Sequence, residues 1–252
     1  NLKIKIVNLN DLSDKQRRDW NLIVNSSQKA TIYHTIEWND LQQRYTNILN
    51  RTAFAYWDNK PVGLFTLFRR RKSLLITHAC NAPLETPYGG PVTVSEIPED
   101  IKIEIIHNLV KSLTTTKDVM TTSFNTILDF DISILQKLNL DFDIKSSSVL
   151  DLGEGEAAVY KGMRRDHKRR LKKAESSGFK PIIDDNFQYI DEYYELLKST
   201  YSRLGNEKLV DKEFYRLCCS QLPDGWIRLF MVKNRDDFIA GGLVLVHKKS
   251  VI

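Results

Sequence analysis

Cysteine is scarce in this 252-residue chain, limited to Cys80 and the adjacent pair Cys218 and Cys219. Neighbouring thiols do not readily bridge to each other, and no CxxC or Cys/His spacing is present, which argues against a disulfide scaffold and against a metal site. A reducing compartment fits this usage. Long apolar runs are also missing: none approaches the roughly 20 residues needed to span a bilayer. The opening NLKIKIVNLNDL alternates like a strand instead of holding a signal-peptide core. The reading is a soluble, cytoplasmic protein. Nor does one sign of charge dominate, because 37 Lys and Arg face 32 Asp and Glu, a balance too even to declare a nucleic-acid binder. What remains is 42% hydrophobic and 27% charged, an ordinary globular composition that supports one or two cores and excludes disorder for the bulk of the chain.

Periodicity gives the element order. Leu2 to Leu9 alternates as a strand, and Ser13 caps a helix through about Val24. A second helix starts at Thr35, carries Trp38, Leu41, Tyr45 and Ile48 on one face, and ends near Asn50. Strands over Thr52–Trp57, Val62–Phe68 and Ser73–Ala79 form an antiparallel meander, the first two joined by a turn at Asp58–Pro61. The Pro/Gly-rich stretch NAPLETPYGGPV leads to a helix opened by Pro98, with Ile101, Ile105, Leu109 and Leu113 buried. A strand over Val119–Phe124, a short helix over Ile132–Leu138 and a strand over Phe142–Leu152 follow. A long helix over Glu156–Ser177 stops at Gly178, and the pattern begins again. Phe179–Ile183 is a strand, and a helix follows with a buried stripe of Ile190, Tyr194, Leu197, Tyr201 and Leu204. A further helix covers Lys212–Gln221, before strands over Trp226–Val232 and Phe238–His247.

The order β-α-α-β-β thus occurs twice, which predicts an α/β fold with mixed sheets in two tandem units. The first covers 1–152, a basic connecting helix covers 153–178, and the second, incomplete, covers 179–252. Ser250-Val251-Ile252 reads as the opening of a further strand. The repeat therefore predicts that the natural protein continues past Ile252 by very roughly 80 residues.

This order resembles that of GNAT-type acyltransferases, and its duplication resembles the Fem-type family and its FemAB-like relatives. The stretches that carry the resemblance are HTIEWNDL (34–41), TPYGGPV (86–92), KGMRRDHKRRLKKAESSGFK (161–180), STYSRLGNEK (199–208) and IAGGLVLVHKKSVI (239–252). The resemblance implies attachment of an aminoacyl or acyl group to an amine of a peptidoglycan precursor or a similar anionic metabolite. No bound cofactor is implied, since aminoacyl-tRNA or acyl-CoA would serve as donor substrate. Two departures matter. The span between Phe179 and Trp226 leaves no room for the coiled-coil arm of some tRNA-using members, and the loop before Pro98 lacks the Gly-rich pyrophosphate turn of coenzyme A enzymes.

Eight Lys and Arg fall within residues 161–173. Lys161, Arg164, Arg165 and Lys168 are the candidates for binding phosphate, presented by a diphosphate precursor, tRNA or an anionic membrane face. A merely solvated face is the alternative. Tyr160, Met163, His167, Leu171 and Ala174 share the opposite arc, which makes His167 a packed side chain instead of a base. Arg44 lies off the Trp38 stripe, free to meet an anion, while Trp38 itself belongs to the core. Tyr88 offers its hydroxyl from a loop that is equally well explained as a structural turn. The resemblance adds Thr200, Arg203 and Tyr215 as precursor-binding residues. Cys218 and Cys219 read as packing residues, and His34, His78, His107 and His247 show no ligand spacing. No Ser-His-Asp or Cys-His constellation is visible, and no catalytic residue is named. The basic helix places aminoacyl-tRNA slightly ahead of acyl-CoA as donor. Acyl-CoA-dependent transfer to an amino sugar or amino acid is the alternative among the same enzymes, and a noncatalytic RNA-binding protein is the reading from another class.

Overall fold

The computed structural model describes residues 1–71, 77–81, 84, 88–115, 119, 121–126, 136–138, 140–144, 150–206, 208–248, 250 and 251. They form two compact units, neither continuous in sequence. The larger holds 1–141, 210–227 and 245–252, and the smaller holds 142–209 and 228–244.

The larger unit begins with β1 (Leu2–Asn8), α1 (Asp14–Ser26) and α2 (Ile36–Thr46). Ser13 opens α1 with a reciprocal cap, its hydroxyl accepting from the Gln16 amide while Gln16 Oε1 accepts from the Ser13 amide at 3.0 Å. Thr35 caps α2 by accepting from the Trp38 amide at 3.2 Å. The sequence carried α2 to about Asn50, but Asn47 adopts a left-handed φ of 52° and ends it. β2 (Leu49–Trp57) therefore starts three residues earlier than its apolar pattern suggested. β2 and β3 (Lys60–Arg71) are joined by two residues, Asp58 and Asn59, with φ of 48° and 64°. Such a turn matches the twist of a hairpin and suits Asp and Asn.

β4 (Thr77–Cys80), β5 (Val92–Thr93), α3 (Glu99–Thr114) and β6 (Thr121–Ser123) complete a six-stranded sheet of order β1-β2-β3-β4-β6, with β5 on β3. Among the described residues only β4 and β6 run parallel. β5 has no signal in the sequence, because two residues carry no period. The helix read at 132–138 and residues 73–76 of the third strand lie wholly or largely outside the described residues. Residues 142–144 and 150–152, read as one strand, are not strand, and Phe142, Ile144, Leu150 and Leu152 are exposed. Alternation alone cannot tell a half-buried strand from an exposed connection.

Helices cover both faces of this sheet. α3 lays Ile105, Ile106, Leu109, Val110 and Leu113 on Ala53, Ala55, Phe65, Leu67 and Ala79. α1 lays Trp20, Ile23 and Val24 on Phe54 and Leu64. At Gly63 an added Cβ would stand 2.8 Å from Ile105 Cγ2 and 3.1 Å from Leu109 Cδ1, so the absent side chain is what lets α3 seat. Gly63→Ala is expected to lower the unfolding free energy by about 1–3 kcal/mol through overpacking. A urea midpoint equal to the native one would refute this.

The smaller unit contains α4 (Glu156–Gly162), α5 (Arg165–Ser176), β7 (Lys180–Asp184), α6 (Ile190–Arg203) and most of β8 (Ile227–Asn234) and β9 (Asp237–His247). β7 pairs antiparallel with β8, and β9 lies on the other side of β8. The single helix read over 156–177 is two: Met163 and Arg164 are extended, with ψ of 140° and 148°. Gly162 and the repulsion among successive cations both disfavour a continuous helix there. In α6 the expected stripe is shifted. Tyr193 is its buried residue, whereas Leu204 is 71% exposed. An added Cβ on Gly241 would lie 3.0 Å from Tyr193 Cδ2 and 2.7 Å from Met231 Sδ, so close helix packing explains glycine in that strand. α7 (Lys212–Gln221) and β10 (Ser250–Val251), paired with the end of β9, belong to the larger unit.

Candidate functional site

A cavity of about 410 Å³ opens beside α2, lined by Asn10, Arg17, Ile36, Asp40, Gln43, Arg44 and Asn47 among others. Its wall is fixed by a polar ladder absent from any motif. Gln43 Nε2 donates to Asn10 Oδ1 at 2.7 Å and Gln43 Oε1 accepts from the Asn50 amide at 2.8 Å. Asn50 Nδ2 then donates to Asn39 Oδ1 at 3.0 Å, and Asn39 Nδ2 donates to the Thr35 carbonyl at 2.8 Å. Arg44, expected to be free, is ion-paired with Asp40 at 2.6 Å one helical turn away. With Arg17 it still places two guanidiniums on one depression, a composition suited to phosphate or carboxylate. On the packed side of α2, Trp38 is buried and meets Tyr33 and Phe214 edge-on, with ring centroids 5.0 and 6.1 Å away. Its core reading stands. Tyr215, a candidate for precursor binding, is buried on α7 next to Phe214.

The glycine-rich loop is held by side chains, which strengthens its structural reading. Asn81 Nδ2 donates to the Asn125 carbonyl at 2.7 Å, Asn81 Oδ1 accepts from the Asn125 amide at 3.1 Å, and the Gly89 amide donates to the same Asn125 carbonyl at 3.1 Å. A Cβ on Gly90 would overlap Thr126, and one on Gly89 would press on Asn81. Tyr88 is half-buried at the edge of this arrangement, while Thr86 and Pro87 lie outside the described residues. Close by is buried His34, whose pKa is pushed down to about 4, chiefly by desolvation. Its Nδ1 accepts from the Thr31 amide at 3.0 Å. Lys248, at the turn between β9 and β10, donates to the carbonyls of Val24 and Ser27 at the C-terminal end of α1, where a cation is favoured.

In the smaller unit the basic candidates separate. Arg164 is the cap residue and Arg165 the first residue of α5, both exposed. Positive charge at a helix N-terminus is unfavourable unless an anion is near. Lys168 is committed elsewhere, donating to the Lys161 carbonyl at 2.9 Å and standing 5.3 Å from the Tyr160 ring centroid. That bond satisfies the C-terminal end of α4. Lys161 is exposed. Asp166 binds both Arg169 at 2.6 Å and Arg170 at 2.8 Å. His167, expected to be packed, is exposed and lines a shallow depression with Val159, Gly162 and Met163. α5 buries none of its residues, so the apolar arc of the sequence is not a core face.

Thr200 donates to the Leu196 carbonyl at 3.0 Å within α6, and Arg203 is exposed at the last turn. The structure therefore groups Arg44, Tyr88 and Tyr215 in the larger unit, and Lys161, Arg164, Arg165, Lys168, Thr200 and Arg203 in the smaller. The three cysteines are thiols, not disulfide-bonded, and burial pushes the Cys218 pKa upward. Among the described residues no group of three His, Cys, Asp or Glu is placed to hold a metal ion, and no helix is long and apolar enough to cross a membrane.

Residues 161–252 match the acetyltransferase (GNAT) domain family. The fold is similar to the crystal structure of FemX, with a TM-score of 0.64, 13% identity, 90% of this chain covered and 57% of that one. Glucosamine-6-phosphate N-acetyltransferase from Arabidopsis thaliana matches with a TM-score of 0.34, 11% identity, 60% of this chain and 99% of that one. A probable acetyltransferase matches with a TM-score of 0.37, 13% identity, 59% of this chain and 97% of that one. No curated protein matches. The fold is a mixed α/β, GNAT-like one, and the match to the acetyltransferase family covers residues 161–252.

Proposed function

We propose that this chain is an N-acyltransferase of the Fem type. On this reading it is built of GNAT-like units over 1–152 and 179–252 with 153–178 between them. It transfers an acyl or aminoacyl group to the amine of an anionic cell-envelope metabolite, of which a peptidoglycan precursor is the leading example. The observation that carries this is the match of residues 161–252 to an acetyltransferase domain, within a chain whose fold is FemX-like over 90% of its length. The amine attacks the acyl carbonyl carbon and the donor's oxygen or sulfur leaves, a reaction that positioning and electrostatic stabilisation accelerate without a covalent intermediate. The acetyltransferase match supports an acyl-CoA donor ahead of aminoacyl-tRNA, reversing the order drawn from the basic helix, where Lys168 is occupied by the Lys161 carbonyl. The cavity holding Arg17 and Arg44 is a place for the acceptor's anionic group, and Arg164 and Arg165 are a second. A cytoplasmic location with contact at the membrane face accords with such an acceptor.

The test follows new amide bonds by mass after incubation with a muramyl-peptide nucleotide and, in turn, labelled acetyl-CoA or aminoacyl-tRNA. Arg44→Ala is expected to raise KM for the acceptor roughly tenfold with kcat little changed, the effect of losing one charge-assisted contact. R164E/R165E, which leaves Lys168 in place, is expected to weaken binding and flatten its salt dependence. Transfer unaffected by either change would remove these residues from the site. Tight RNA binding without transfer from either donor would replace the enzyme reading with the RNA-binding one.

A further inference from the structure

The parallel pairing of β4 with β6 sets His78 opposite Thr121 and Cys80 opposite Ser123. Side chains two residues apart on a strand share a face, so Thr121 and Ser123 flank the His78 imidazole on one side of the sheet. Ala79, between His78 and Cys80, is fully buried in the opposite core. His78 Nδ1 lies 2.8 Å from Thr121 Oγ1, and His78 Nε2 lies 3.1 Å from Ser123 Oγ. With the proton on Nδ1, the ring donates to Thr121 and accepts from the Ser123 hydroxyl. That is the relation of nucleophile, base and orienting group needed to activate a serine. Thr121 and Ser123 are exposed and His78 is half-buried, so an ester can reach the hydroxyl. The residues stand 45 apart in the chain, which is why no linear motif marks them.

We infer that Ser123 is a nucleophile with His78 as its general base and Thr121 as a positioning residue, giving the protein a serine-esterase activity toward small activated acyl esters and thioesters. Ser123 Oγ bonds to the acyl carbon while its proton passes to His78 Nε2. The bond from that carbon to oxygen or sulfur breaks, and the leaving alkoxide or thiolate takes the proton from His78. Water, which reaches this open face, then attacks the acyl-serine. His78 takes a proton from the water and returns it to Ser123 Oγ as the carboxylic acid leaves, so ester and water give acid and alcohol with nothing else consumed. A threonine holds the imidazole less firmly than a carboxylate would, and turnover is accordingly slow. This activity stands on the His78, Thr121 and Ser123 geometry and is independent of transfer to an amine.

The probe is 4-nitrophenyl acetate with the full chain. The expected result is a burst of nitrophenolate equal to the protein present, with one acetyl group mapped by peptide mass to Ser123. S123A is expected to abolish the burst and H78Q to slow it by about 10²- to 10⁴-fold, both with native circular dichroism and melting. T121V is expected to slow it less and to shift its pH profile. A native burst in S123A, an acetyl group found only on lysines, or an H78Q burst as fast as the native one would each overturn the proposal. An unshifted T121V profile would remove Thr121 from it. Should S123A fail to fold, diisopropyl fluorophosphate on the native chain decides, with phosphorylation of Ser123 expected and its absence counting against the nucleophile.

Discussion

Trp20→Ala is expected to lower the unfolding free energy by about 3–5 kcal/mol. Trp20 has no exposed surface and packs edge-on against Phe54 with ring centroids 5.9 Å apart. Its Nε1 donates to the His34 carbonyl at 2.7 Å in a buried bond. Alanine removes the ring, leaves a cavity between α1 and the sheet, and strands that carbonyl without its donor. The two losses can be told apart. Trp20→Phe keeps most of the packing and forfeits the hydrogen bond, which predicts a cost of about 1–3 kcal/mol. Urea unfolding of both variants checks this, and an alanine variant within about 1 kcal/mol of native would mean that the α1 face collapses to fill the gap.

The same tryptophan shows what the sequence can tell and where it stops. The Ser13 cap and the start of α2 at Thr35 are local, and both appear where the residues said they would, Thr35 serving as the cap of α2. The turn at Asp58 and Asn59 is equally local. That Trp20 bonds to the residue on which the glycine-rich loop leans depends on packing between distant segments, and no period encodes it. The Asn10, Gln43, Asn50 and Asn39 ladder was invisible for the same reason, since each amide looks like a surface residue until its partner arrives. Arg44 lies on its helix off the Trp38 stripe, and its pairing with Asp40 follows the i,i+4 spacing of opposite charges that the sequence contains. The break between α4 and α5 had a signal too, Gly162 followed by crowded cations, outweighed by an apolar arc that turns out to bury nothing. His78 and Ser123 needed the strand register, which only the fold supplies.

Acidification is the second large effect, and it acts on the same corner of the larger unit. His34 is fully buried, and its pKa falls from 6.5 to about 4. Desolvation is the main cause, opposed by the backbone bond at Gly90 and aided by the charges of His247 and Lys248. His247 is itself shifted downward, by burial and by Lys248. Because the unfolded imidazole binds its proton at 6.5 and the folded one only near 4, the unfolded state holds more protons throughout that interval. Stability is therefore complete above about pH 6.5 and declines as pH falls toward 4, by roughly 3 kcal/mol for a shift of this size. His247 changes stability in the same direction. His34→Gln keeps an acceptor for the Thr31 amide and a donor toward Gly90 but cannot titrate, so it should lose less stability than the native chain over the same range. Carboxylates destabilise both proteins alike on acidification, and the difference between the two curves isolates the imidazole. Unfolding free energies measured from pH 7.5 to about 4.5 give the answer: a native-minus-variant difference that stays flat across this range would mean that His34 is not held neutral by its burial.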